Sequence, residues 1–307
     1  MASRPARLMT TAARELRGAA VLTAVTCALA SCSASSPPRG HAPYRGAGSS
    51  GAFTRAALTP GGRPAWMMTR AALAQVASEP AVLAGLERSR VLEILHTGQQ
   101  PLAVAGSQPV VTFSSVAELD QAVSGGPLPA GTGALLYDPE AWSFTPRPEQ
   151  LDPAAAARRA RDTAHAHGLA FIAAPALNLT TVRPRPGGGP RWRQFLRLGL
   201  AASAARVSDV LELQAQSLER DTSAYATFVR EAAAQARAAN PRVAILAGLS
   251  TNPPGAAVTS EQLTAAIHAT RGMVDGYWLN IPGRGPRCPT CNSPRPDVGR
   301  AALRGVL

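Results

Sequence analysis

The stretch Gly133-Ala134-Leu135-Leu136-Tyr137-Asp138-Pro139-Glu140-Ala141-Trp142 decides the fold. A short apolar run stops at two carboxylates and an aromatic ring, the pattern of a buried parallel strand whose carboxyl end opens into a site. The same grammar recurs downstream. Residues 208–216 alternate apolar and polar side chains, so Glu212, Gln214 and Gln216 project from one face of a strand. Gly276-Tyr277-Trp278-Leu279-Asn280 ends another apolar run in an aromatic and an amide. Helical segments separate these strands. Asp152 is placed to cap a helix, Pro153 suits its first position, Gly168 suits its end, and residues 169–174 follow as a buried strand. A helix is predicted over residues 222–239, a strand over 243–247, a helix opened by Ser260, and a terminal helix capped by Asp297.

Strand and helix alternate through the second half with crossovers long enough for parallel pairing, which predicts a TIM-like (β/α) barrel. Six or seven strands can be counted. That number leaves room for an incomplete or irregular barrel, with an open doubly wound α/β sheet as the alternative. No G-x-G-x-x-G follows the first strand, which argues against dinucleotide binding. Nearer the amino end, residues 66–77 have helical spacing, and residues 81–95 read as a helix or as a helix finishing in a strand at 91–96. Residues 110–113 read as a strand, and Ser115 with Glu118 forms a capping-box pattern.

The chain has 307 residues, a net charge of +12 and 46% hydrophobic content, ordinary for a globular protein. Every one of its 31 basic residues is arginine. With abundant alanine, glycine and proline, this composition reflects GC-rich coding as much as a polyanionic partner. No arginine stripe or nucleic-acid motif is present, so no nucleic-acid partner is expected. Four arginines, the first Arg4 and the last Arg17, precede an apolar run at 18–30, the layout of a secretory signal. The run ends in Leu29-Ala30-Ser31-Cys32, which resembles the lipobox of bacterial lipoproteins. That resemblance implies a signal peptide over residues 1–31 and a lipidated Cys32 as the first mature residue. It further implies an address outside the cytoplasm, on the outer face of the cell membrane. Residues 32–64 are rich in serine, proline, glycine and arginine and read as a flexible tether, leaving residues 65–307 for the barrel. Cys288 and Cys291 are expected to form a local disulfide, since no second cysteine pair is available to complete a zinc site.

The carboxyl ends of barrel strands are where chemistry gathers. By that rule the candidate catalytic residues are Asp138, Glu140 and Glu212, and the candidate substrate-binding residues are His96, Trp142, Asn178, Gln214, Gln216, Asn252, Trp278 and Asn280. Ser114 and Ser250 fall at the same kind of position. Paired carboxylates among amides and indoles resemble a carbohydrate site, and over residues 90–280 the chain resembles the barrel-type glycoside hydrolase superfamily, notably secreted actinobacterial barrel proteins. The resemblance implies hydrolysis of a polysaccharide by acid/base chemistry, without metal or cofactor, one carboxyl protonating the leaving oxygen and another acting as nucleophile or activating water. Gln214 and Gln216 depart from it, standing where a catalytic strand would carry a carboxylate. The alternative is a non-catalytic barrel that binds glycan or an anionic wall polymer, with Trp142 and Trp278 stacking on the sugars. Duller explanations exist for each acid: Asp138 as a turn opener before Pro139, Glu140 as a solvated side chain, Glu212 as the partner of an interior arginine. The arginine-bearing loop at 183–191 could grip an anionic polymer or lie solvated. His165 and His167 fall on different faces of one helix, so they make no metal pair.

Overall fold

The structure, a computed structural model, describes residues 53–183, 187–216, 218–253, 257–286 and 288–307. The expected signal peptide and Cys32 lie outside the described residues. Eight parallel strands close on themselves in sequence order: β1 (Ala65–Thr69), β2 (Val91–Leu95), β3 (Ser107–Phe113), β4 (Ala134–Tyr137), β5 (Ala170–Ala173), β6 (Val210–Leu213), β7 (Ala244–Ser250) and β8 (Gly276–Asn280), with β8 returning to β1. The open-sheet alternative is thereby excluded. Eleven α-helices are found among the described residues: α1 (Arg55–Leu58), α2 (Arg70–Ala77), α3 (Pro80–Leu86), α4 (Val116–Ser124), α5 (Arg147–Leu151), α6 (Pro153–Ala166), α7 (Arg191–Arg197), α8 (Leu200–Ala205), α9 (Thr222–Ala239), α10 (Ser260–Thr270) and α11 (Pro296–Arg304).

Alternation along the strands builds two cores. Met67, Leu92, Ile94, Val110, Leu136, Ile172, Val210 and Leu246 fill the barrel, while Trp66, Val91, Val111, Leu135, Phe171, Leu211 and Ile245 face the helices. Both faces of each strand are buried, which is why the strands read as continuous apolar runs. The barrel is irregular at one crossover: no helix links β2 to β3. There Glu93 points outward and is fully buried, and its carboxylate accepts the Leu102 N–H at 2.9 and 3.1 Å, so the loop takes the place of helix cover. Burial pushes this carboxyl above its usual range, partly offset by that N–H.

Two expectations are corrected. Residues 66–77 are not one helix: residues 65–69 are β1, and the Thr69 side chain caps α2 by accepting from the Ala72 N–H at 3.2 Å. Trp66-Met67-Met68, buried on both sides, carries no period that separates strand from helix. Nor is the chain a loose tether up to residue 64. Phe53 and Leu58 are buried in the inner core, and Arg55 pairs with Asp275 at 3.0 Å just ahead of β8, so α1 and its neighbours close the amino-terminal end of the barrel. The ambiguous 81–95 segment resolves into a helix and a strand, α3 and β2. Cys288 and Cys291 are bonded as a disulfide, Cα atoms 5.3 Å apart. Among the described residues no helix is long and apolar enough to cross a membrane.

Candidate functional site

A cavity of about 500 Å³ opens at the carboxyl end of the barrel. Of the residues expected at a site, Asp138, Glu140, His96, Trp142, Gln214, Gln216, Trp278 and Asn280 line it together. They come from the ends of the alternate strands β2, β4, β6 and β8, far apart in sequence and gathered at one mouth because the sheet closes. The volume falls within the range of small-ligand sites.

Amides hold both accessible acids. Asp138 follows the last residue of β4 and its Oδ1 accepts from Gln214 Nε2 at 2.5 Å, while the same amide nitrogen donates to the Ala174 carbonyl at 2.9 Å. Glu140 sits beyond Pro139, where its Oε2 accepts from Asn178 Nδ2 at 3.0 Å; the Asn178 Oδ1 in turn accepts from the Ala141 N–H at 2.9 Å. Asn178 therefore does not line the cavity but holds the loop that carries Glu140. The bonds from Gln214 and Asn178 fix the direction of each carboxyl group. Thr145 pins the aromatic wall: its hydroxyl donates to the Ser114 carbonyl at 2.9 Å and accepts from Trp142 Nε1 at 2.9 Å and the Glu140 N–H at 3.2 Å. Phe144 stands edge-on to Trp142 with ring centroids 5.1 Å apart, and Trp278 forms part of the opposite lining from β8. Gly248 leaves space for the end of the Gln216 side chain, which a Cβ there would strike. A glycine inside a strand signals such a close approach.

Glu212 lies below this arrangement. It is fully buried, and neither carboxyl oxygen has a hydrogen-bond partner among the described residues, so the arginine partner considered from sequence is not found among them. Burial first, and the charges of Asp138 and Glu140 next, push its carboxyl well above the usual range, which favours its neutral form. A protonated Glu212 keeps the trio from carrying three like charges. It is not a lining residue, and the expectation that it meets substrate directly is corrected: strand β6 places it opposite Leu246 in the packed interior. Asn252, Ser114 and Ser250 are also buried and outside the lining; Ser250 is held by its N–H to Glu219 Oε1 at 2.7 Å. His165 lies elsewhere, its Nε2 2.9 Å from Asp209.

Sequence reasoning missed Thr69, Thr112, Phe144 and the rim residues Ile281, Pro282, Gly283, Gly285, Pro286 and Cys288. Thr69 was hidden by reading β1 as helix. Phe144 had a usable signal, an aromatic two residues after Trp142 in a polar segment, and it is one of two large hydrophobic side chains left exposed among the described residues. Among those residues no group of three His, Cys, Asp or Glu side chains is arranged to hold a metal ion.

The fold and this cavity define the chain as a closed eight-stranded (β/α) barrel with an acidic, aromatic-walled opening at its carboxyl face. No protein family matches the chain, and no curated protein does. Solved barrels do match by shape. A triosephosphate isomerase from Bartonella henselae aligns with a TM-score of 0.37 at 12% identity over 71% of this chain and 92% of its own. For a putative alpha-L-fucosidase from Bacteroides thetaiotaomicron the values are 0.47, 9%, 73% and 84%. For a GH128 (subgroup I) endo-beta-1,3-glucanase from Amycolatopsis mediterranei, in complex with laminaritriose, they are 0.42, 14%, 80% and 99%. These likenesses concern the fold and carry nothing about activity.

Proposed function

We propose that the chain is an extracytoplasmic glycoside hydrolase, anchored to the membrane through a lipidated Cys32, that cleaves a polysaccharide in the carboxyl-end cavity. One observation carries the reading: Asp138 and Glu140 enter a single cavity with the rings of Trp142, Phe144 and Trp278. Glycoside cleavage needs two carboxyls flanking one bond and flat apolar surfaces for sugar rings. Glu140 is the more exposed of the two, beyond the strand end, and is assigned as the acid that protonates the leaving oxygen. Asp138, 8% exposed and fixed by Gln214, is assigned as the anion that meets the anomeric carbon or activates water. With its carboxyl pushed up, Glu212 adds no charge beneath the pair, and Glu140 acts in its protonated form.

A second reading, a non-catalytic glycan-binding barrel, is favoured by the amides Gln214, Gln216 and Asn280 in the lining, which bond sugar hydroxyls without doing chemistry. Incubating the chain with a panel of neutral and acidic polysaccharides separates the two. New reducing ends support hydrolysis, binding without them supports the second reading, and neither one sinks both. The anchor has its own test: Cys32→Ser is expected to move the protein from the membrane fraction to the soluble one, and retention on the membrane would refute lipidation there.

A further inference from the structure

A second cavity, of about 640 Å³, lies on the same face of the barrel, walled by the segments that follow β5, β6 and β7. The catalytic cavity takes Gln216 from the β6 end, and this one takes Leu218, two residues on, so the two flank one loop. Its chemistry differs from that of the first. Arg193 and Arg220 are both exposed in it, and neither has an acidic partner among the described residues. The Arg193 guanidinium lies over the Trp192 ring, 4.9 Å from its centroid, which orders the side chain while leaving the in-plane N–H donors at its edge. The one acid in the lining, Asp221, is committed elsewhere: it caps α9, accepting from the Ala224 N–H at 3.0 Å, where its charge is set against the positive end of the helix dipole. Ser223 and Thr227 add two hydroxyls, one helical turn apart.

Two guanidinium groups, one of them pre-ordered, with an indole and hydroxyls in a cavity large enough for a sugar ring, fit an anionic sugar unit better than a neutral one. A planar carboxylate or a phosphate takes two parallel N–H bonds from an arginine fork, which a hydroxyl cannot match. The geometry points to this cavity as a subsite for a carboxylate- or phosphate-bearing unit of the polymer, making the substrate class an acidic polysaccharide. The inference rests on the glycan reading of the neighbouring cavity and names the polymer that reading leaves open.

The test is calorimetric titration of the full chain with three oligomers of equal length: a galacturonic acid oligomer, a glycerol phosphate oligomer and a neutral cello-oligosaccharide. At least one anionic oligomer is expected to bind about tenfold or more tightly than the neutral one, and which of them does so tells carboxylate from phosphate. Arg193→Ala/Arg220→Ala is expected to abolish that preference and leave neutral binding within about twofold, because the charge-assisted fork is lost while the neighbouring cavity keeps its lining. Arg220→Ala alone leaves the cover on Trp192 in place and is expected to lose at least about tenfold for the anionic oligomer. Equal affinity for all three, or a preference that survives the double variant, overturns the subsite. Acid preference without cleavage would sink hydrolysis and leave this subsite standing; cleavage without acid preference would do the reverse.

Discussion

Glu212 gives the most demanding test of the physical account, because a buried carboxyl with no partner among the described residues should weaken the fold in a pH-dependent way. Two variants divide its effect. Glu212→Gln keeps an unsatisfied polar end but removes the titration; Glu212→Leu removes both. Leaving a neutral polar group unbonded in the interior costs about 1–3 kcal/mol, so Glu212→Leu is expected to stabilise the chain by about that much. For a domain of this size each kcal/mol is about 2–4 °C in Tm. The pH dependence has a definite sign. Because burial and the two neighbouring charges raise the folded carboxyl above its unfolded value, the folded chain binds more protons than the unfolded one as pH rises past about 4.3. Its contribution to stability is complete below that pH and declines by about 1.4 kcal/mol per pH unit until the folded group ionises. Glu219, also buried and also pushed up, contributes a slope of the same sign that both variants retain. Urea unfolding followed by tryptophan fluorescence between about pH 5 and 8 reads the difference. The native chain should lose stability with pH more steeply than either variant. If native and Glu212→Gln run parallel, or Glu212→Leu is the less stable at pH 7, then Glu212 is ionised and partnered, and the reasoning fails.

Three further substitutions probe the barrel and its mouth. A Cβ at Gly276 would strike the Ala65 carbonyl, so Gly276→Ala should cost about 1–3 kcal/mol in thermal or urea unfolding. In Gly248→Ala the nearest atoms to the new Cβ are at the far end of the flexible Gln216 side chain; stability should hold within about 1 kcal/mol while glycan affinity falls by about three- to tenfold, the worth of one displaced hydrogen bond. Leu58→Ala, inside the plug at the amino-terminal end, should cost about 2–5 kcal/mol by the same unfolding measurement, and a cost near zero would mean that residues 53–64 do not close the barrel.

What could be read from the chain follows from how each strand is buried. Residues 134–137, 170–173 and 244–247 were legible because an apolar run sits between a helix end and a polar turn, whereas β1 was not, since its run passes straight into α2 with only Thr69 marking the change. The site divides in a similar way. Alternation assigned Glu212, Gln214 and Gln216 to the inside correctly, yet alternation gives the face and not the depth. The tilt and stagger of strands in a closed barrel decide which inward residue reaches the mouth, and they left Glu212 in the core layer with Leu246 while Gln214 reached Asp138. Asn178 and Asn252 illustrate the same limit. Both follow strand ends, but one turned outward to brace the Glu140 loop and the other was buried, because loop packing is set by contacts far away in sequence. The plug at Phe53 and Leu58 escaped notice because two large apolar residues in a polar stretch carry no period.

The most direct measurement is the rate of reducing-end release from the best polysaccharide of the panel by the native chain, Asp138→Asn and Glu140→Gln, with glycan affinity measured in parallel. Loss of a catalytic acid or base typically costs about 10²–10⁴-fold, so each variant should fall at least about a hundredfold in kcat with affinity kept within a few-fold. Release by either variant within about twofold of the native rate, or none from the folded native chain on any substrate, would contradict the account.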